Sequence, residues 1–174
     1  TAYSYDTNGN KIRETYADGG YKTFDHDRKN RLIKTESYEA GEAGESIGEK
    51  TLKTVYSYDI NDRLLESIDY QIDGAEETAV RYAEYQYDRR GQTTGYAELS
   101  QENEPTADEI KAHQIRYHYD SDGKLTKVTY PTTKNGVHAL SYEYDQNGWL
   151  TKIKGEIQSE DGSTEKTVRS YTYD

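Results

Sequence analysis

The string Y-x-Y-D returns six times in this chain of 174 residues, starting at Tyr3, Tyr56, Tyr85, Tyr117, Tyr142 and Tyr171. A worn copy, "FDHD", starts at Phe24 and puts His26 where a tyrosine stands elsewhere. The starts are spaced by 21, 32, 29, 32, 25 and 29 residues, so the chain is an array of similar units. A catalytic motif is needed once. A string written this often along one chain points to architecture.

Each part of the string has a mechanical reading. Side chains two apart in an extended chain share a face, so the pairs Tyr3/Tyr5, Tyr56/Tyr58, Tyr85/Tyr87, Tyr117/Tyr119, Tyr142/Tyr144 and Tyr171/Tyr173 each project from one side of a strand. The aspartate that follows (Asp6, Asp27, Asp59, Asp88, Asp120, Asp145 and Asp174) starts a turn, its carboxylate accepting from backbone N–H groups just downstream. Three residues on, Gly9, Gly91, Gly123 and Gly148 supply a backbone position with φ > 0, as a type I turn with a G1 bulge requires. Where glycine is missing the chain has Asn30 and Asp62, the side chains most tolerant of left-handed geometry. A second strand then follows, such as "KLTKVTY" at 124–130 or "WLTKIKG" at 149–155.

Each unit is therefore strand, tight turn, strand and a looser return. The returns vary from "ADGGYK" at 17–22 to the acidic "EAGEAGESIGEKT" at 39–51 and "LSQENEPTADEIKA" at 99–112. In the last, Thr106 is placed to cap a short helical turn after Pro105. Roughly a dozen strands in an antiparallel up-and-down arrangement are expected, and single hairpins are marginal, so they must stack side by side. In-register stacking is expected to place the tyrosine pairs in rows with aromatic contacts between strands. Leu125 and Val128, like Leu150 and Ile153, are three apart and share a face only if a bulge intervenes, which leaves that register open.

Composition fits an ordered sheet with a thin core. Apolar residues make up only 32%, but 19 residues are tyrosine, and twelve of these lie in the six unbroken copies. Aromatic residues favour pleated, half-buried surfaces. A net charge of −11 excludes the clustered basic surface that nucleic acid needs, and the bland reading of the acidity is solubility. The chain has no cysteine and therefore no disulfide or thiolate chemistry, and no apolar run approaches a membrane span. It has no methionine and opens and closes inside the motif, so a fragment of a longer protein is expected.

No active site is expected, and no cofactor. His26 and His118 sit within strand motifs, no histidine pair has ligand spacing, and no G-x-S-x-G elbow occurs. "DSDG" at 120–123 lacks the spacing of a calcium loop, and turn chemistry accounts for it.

"YSYDTNGNKI" at 3–12, "YHYDSDGKLTKV" at 117–128 and "YEYDQNGWLTKI" at 142–153 resemble the YD repeat, also called the RHS repeat. It occurs in bacterial Rhs and wall-associated polymorphic toxins, in the shell components of Tc toxins and in teneurins. The resemblance covers residues 3–174 and implies an all-β chain: an antiparallel sheet of repeated hairpins, a curved or spiral strip that is part of a shell. It implies one YD-repeat domain over 1–174 and a non-enzymatic role, enclosing a toxin or other polypeptide in a secreted or cell-surface bacterial protein. The partners implied are the remaining repeats and the enclosed polypeptide. Six or so repeats are too few to close a shell, and the self-cleaving segment and toxin domain of bacterial members do not occur here, so neither autoproteolysis nor toxicity is assigned. Edge-to-edge self-association is expected from the two free edge strands. The alternative reading is an adhesin-like module whose exposed tyrosine rows bind glycan or cell wall.

Overall fold

The computed structural model describes residues 1–41, 48–100, 102–131, 136–159 and 162–173. Much of the acidic return at 39–51, residue 101 in the later one, and Asp174 lie outside the described residues. The chain runs through β1 (Ala2–Tyr5), β2 (Lys11–Thr15), β3 (Tyr21–His26), β4 (Leu32–Tyr38), β5 (Lys50–Tyr58), β6 (Leu64–Asp73) and β7 (Glu76–Tyr87). It continues through β8 (Thr93–Leu99), a short helix α1 (Ala107–His113), β9 (Ile115–Tyr119), β10 (Leu125–Thr129), β11 (Gly136–Tyr144), β12 (Leu150–Ser159) and β13 (Gly162–Ser170). These thirteen strands follow one another in chain order, each beside its sequence neighbours, in an antiparallel up-and-down sheet.

Two compact units are present. One comprises Thr1–Glu84 with Leu99–Pro105, the other Tyr85–Glu98 with Thr106–Asp174. In the second, α1 starts at a capping box. The Thr106 hydroxyl accepts from the Glu109 N–H, and the Thr106 N–H donates to Glu109 Oε2 at 2.7 Å.

The odd-numbered strands carry the tyrosine pairs and the even-numbered strands follow the turns. Their register resolves the three-residue spacing. Tyr58 faces Leu64 but Ser57 faces Glu66, so Leu65 is an extra residue on β6. The same slip occurs after Tyr5–Lys11, His26–Leu32, Tyr119–Leu125 and Tyr144–Leu150. A bulge of two residues against one thus recurs at one place in these five hairpins. Because of it Leu125 and Val128 oppose Tyr119 and Tyr117, and Leu150 and Ile153 oppose Tyr144 and Tyr142. In two copies the extra residue is a threonine whose hydroxyl closes the bulge: Thr126 donates to the His118 carbonyl and Thr151 to that of Glu143, each at 3.1 Å.

The core is thin, as so polar a chain requires. In the first unit it consists of Tyr21, Ile72, Ala79, Tyr82, Ala83 and Leu99, and in the second of Ala97, Val128 and Ala139. The most deeply buried are Ala83, Ala97 and Ala139, and no large side chain among the described residues is fully enclosed. Opposite the first aromatic of a pair, Thr35, Ser67 and Val128 are buried, each eight residues after its turn aspartate.

Aromatic contact takes a different form from the expected rows. Among the described residues, rings that meet include Tyr21 with Tyr38, stacked at 4.4 Å, Tyr85 with Tyr96 at 5.0 Å, and Trp149 edge-on to Tyr173 at 4.8 Å. None of these joins two motif tyrosines. The reason is strand order: motif strands are next-nearest neighbours, about 9–10 Å apart, beyond the reach of ring packing.

Candidate functional site

The repeated element is the turn and the seam between hairpins. In the six turns at Asp6, Asp27, Asp59, Asp88, Asp120 and Asp145, the aspartate N–H donates to the carbonyl of the fourth residue on, at 2.9–3.0 Å. Its carbonyl accepts from the N–H of the third, at 3.0–3.1 Å. Its Oδ1 accepts from the N–H groups of the second and fourth residues, at 2.8–3.0 Å in all six. The third residue is left-handed in every copy: Gly9, Gly91, Gly123 and Gly148 at φ 83° to 88°, Asn30 at 63° and Asp62 at 65°. One carboxylate oxygen thus saturates two backbone donors of a tight turn, which is the reason for aspartate at this place.

Charge follows from these bonds. The Asn10 amide holds the Asp6 carboxyl below the usual carboxylate range, and the Arg63 backbone N–H does so for Asp59. For Asp27, desolvation works upward, and the Arg31 guanidinium and N–H groups outweigh it.

A second set of bonds joins four of the tyrosine strands to the hairpin before. The hydroxyl of the second tyrosine donates to the backbone carbonyl five residues after the preceding turn aspartate: Tyr58 to Leu32 at 2.7 Å, Tyr119 to Thr93 at 2.9 Å, Tyr144 to Leu125 at 2.8 Å and Tyr173 to Leu150 at 2.7 Å. Burial pushes the phenols of Tyr58, Tyr119 and Tyr144 above their ordinary value. The second motif tyrosines therefore connect hairpins through their hydroxyls, and the rings of Tyr58 and Tyr144 also receive the Arg31 and Lys124 cations of the preceding hairpin, 4.9 Å and 5.6 Å from the ring centres. In the worn copy the imidazole of His26 is too short for this reach. Its Nδ1 is buried without a partner, and an open groove of about 530 Å³ lies beside it, lined by Asp6, Phe24, Asp27 and Ile33 among others.

A third set joins turn to turn. The residue after the left-handed position extends to the next turn: Asn10 Nδ2 donates to Asn30 Oδ1 at 2.8 Å, Arg31 Nη1 to Asp62 Oδ1 at 2.6 Å, and Gln92 Nε2 to the Gly123 carbonyl at 2.7 Å. Lys29 adds a bond to Asp62 at 2.8 Å, and this bond is the main reason the Asp62 carboxyl is held low. Asn30 and Asp62 thus do more than tolerate φ > 0; their side chains receive the preceding turn. Nothing in the sequence marked Asn10, Arg31 and Gln92. The only available signal was a long polar side chain directly after the left-handed residue.

The strand faces carry ion pairs, among them Lys34 with Asp25 at 2.9 Å, Lys50 with Glu36 at 3.3 Å and Lys154 with Glu143 at 2.6 Å. Among the described residues, no group of three or more His, Asp or Glu side chains converges as a metal site, and no helix is long and apolar enough to cross a membrane.

Residues 119–164, which include the turns at Asp120 and Asp145, match the family model of the RHS Repeat. Over this stretch the chain carries the RHS repeat. The turns at Asp6, Asp27, Asp59 and Asp88 lie outside the matched stretch, yet their bonds are the same as those of the RHS repeat inside it. No curated protein sequence matches the chain. Among solved structures it is similar to a TcdB2–TccC3–TEV crystal structure, with 18% identity and a TM-score of 0.46 over 95% of this chain and 9% of that one. It is also similar to the Tc holotoxin pore of Photorhabdus luminescens, with 16% identity and a TM-score of 0.28 over 98% of this chain and 12% of that one. A third is a Bacteroides fragilis protein of unknown function, with 11% identity and a TM-score of 0.35 over 90% and 94% of the two chains. The chain spans roughly a tenth of the length of the Tc toxin structures it matches.

Proposed function

We propose that residues 1–174 serve as one non-enzymatic RHS-repeat domain, a piece of a β-shell that encloses a toxin or other polypeptide in a secreted or surface-exposed bacterial protein. The observation that carries this reading is the use made of the motif. The turn aspartate, the left-handed residue and the second tyrosine are engaged in closing a hairpin or fastening it to its neighbour. Such a device serves a wall, whose task is to stay continuous. The partners are further repeats on either edge of the sheet and the enclosed polypeptide.

The test is protease protection in the parent protein. The enclosed segment should resist cleavage until urea opens the sheet, and Tyr58→Phe with Tyr144→Phe should lower the urea concentration at which protection ends. Cleavage of that segment at full rate with the sheet intact would sink the reading.

A carbohydrate-binding role is favoured by one feature. Trp149 and Tyr173 are each 48% exposed and meet edge-on, an aromatic platform of the kind sugar rings stack on. Glycan-array binding that vanishes in Trp149→Ala supports it; a blank array for the parent chain removes it.

A further inference from the structure

The first hairpin presents the surface that the later tyrosine hairpins bury, and that surface defines the chemistry of its partner. Tyr58, Tyr119 and Tyr144 are half-buried with their hydroxyls on a neighbouring carbonyl. Tyr3 and Tyr5 are 53% and 59% exposed, and all four residues of β1 are exposed. Among the described residues, no strand lies beside the outer edge of β1. The turns show the same contrast. The space beside Gly123 holds the Gln92 amide and that beside Gly148 the Lys124 ammonium, whereas nothing lies within 4 Å of the space beside Gly9.

We propose that the β1 edge is a docking site for the second strand of a tyrosine–aspartate hairpin. Three features of this chain set the demands. The β1 backbone needs an antiparallel strand. The Tyr5 hydroxyl needs a carbonyl five residues after that partner's turn aspartate. The Gly9 carbonyl needs a long amide or cationic side chain one residue earlier, as Gln92 serves Gly123 at 2.7 Å. The partner is therefore a D-x-x-G-[Gln, Lys or Arg] hairpin presenting its even strand.

The other free edge does not meet these demands. Gly162–Ser170 leads into Tyr171 and Tyr173, whose hydroxyl bond to Leu150 identifies it as another tyrosine strand. In the sheet, tyrosine strands alternate with strands of the other kind throughout. Pairing β13 of one copy with β1 of another would break that alternation, so the free edges are not complementary to each other. This inference rests on the repeat-wall reading and adds which strand type each edge accepts.

The probe is a synthetic peptide of residues 85–99, cyclised across its ends to hold the hairpin, titrated into the isotopically labelled whole chain. Amide shifts are expected at Ala2–Gly9 and not along β13, with a scrambled peptide giving none. Tyr5→Phe should weaken binding about 2- to 12-fold, the worth of one neutral hydrogen bond, and replacing the peptide's Gln92 by Ala should weaken it again. The circular dichroism of Tyr5→Phe should match that of the parent, because its ring is exposed. Shifts at β13, binding indifferent to Tyr5→Phe, no binding at millimolar peptide, or concentration-dependent dimers through β1 and β13 would each overturn the proposal. None of these outcomes bears on whether the parent protein shields a polypeptide, which the protease experiment reads separately.

Discussion

At the scale of the residue, the turns are the sharpest features of the molecule, and their chemistry makes two predictions. Gly123 sits at φ 86°, and an added Cβ would meet the Gln92 amide at 3.3 Å. Gly123→Ala should therefore cost about 1–2 kcal/mol, the penalty of left-handed backbone for an L-residue, read as a lower urea midpoint with an unchanged slope. Titration gives the second. The carboxyls of Asp6, Asp27, Asp59 and Asp62 are held below their ordinary value of 3.8. A group whose pKa is depressed on folding contributes stability that is fully present above the unfolded value and lost as pH falls through the folded one. The chain should keep its urea midpoint from neutrality down to about pH 4 and lose it steadily below; a midpoint flat to pH 2 would contradict the turn bonds. Both predictions concern side chains whose roles the sequence already announced, because aspartate followed at the third place by glycine, asparagine or aspartate has few other uses.

At the scale of the element, the informative substitution leaves the ring and removes only its hydroxyl. Tyr144→Phe deletes the donor to the Leu125 carbonyl, and a loss of about 0.5–1.5 kcal/mol is expected in urea unfolding. The reverse change is available in the worn repeat. His26→Tyr would place a phenol where the other copies have one, opposite Leu32 as Tyr58 is opposite Leu64, with the groove beside it to receive the longer ring. A gain of similar size is expected, and a loss would mean the hydroxyl lock does not carry over to this hairpin. Hairpins, strand alternation and the capped helix after Pro105 were all readable from spacing alone. The expected ring-to-ring rows conflict with that same alternation: the strand after each turn lies between successive tyrosine strands and keeps them about 9–10 Å apart. The bulge was half legible. The three-residue step from Leu125 to Val128 demanded one, but only the pairing of Tyr119 with Leu125 and His118 with Lys127 shows where the extra residue falls. The turn-to-turn bonds of Asn10, Arg31 and Gln92 were invisible because they depend on which turn lies alongside.

At the scale of the whole molecule, a sheet with so few deeply buried side chains depends on its polar joints, and alkali attacks them together. Burial raises the phenols of Tyr58, Tyr119 and Tyr144 above 10.0. A group whose pKa is raised on folding contributes stability that is complete below its unfolded value and disappears as pH climbs through the folded one. Stability should thus be level up to about pH 10 and then fall, with ultraviolet difference absorbance showing these tyrosines ionising together with unfolding. Ionisation of all nineteen phenols well before any loss of strand signal would argue against hydroxyl-borne seams. The turn-to-turn bonds have a different consequence, for how such an array can be altered over time. The residue that leaves one turn is fitted to the residue at the crest of the next, as Asn10 is to Asn30 and Arg31 to Asp62. Duplicating or deleting a unit therefore disturbs only the two junctions it touches, while a change at one crest calls for an answering change in the unit before it. Gene histories of such arrays should show whole-unit gains and losses, with paired substitutions straddling unit borders.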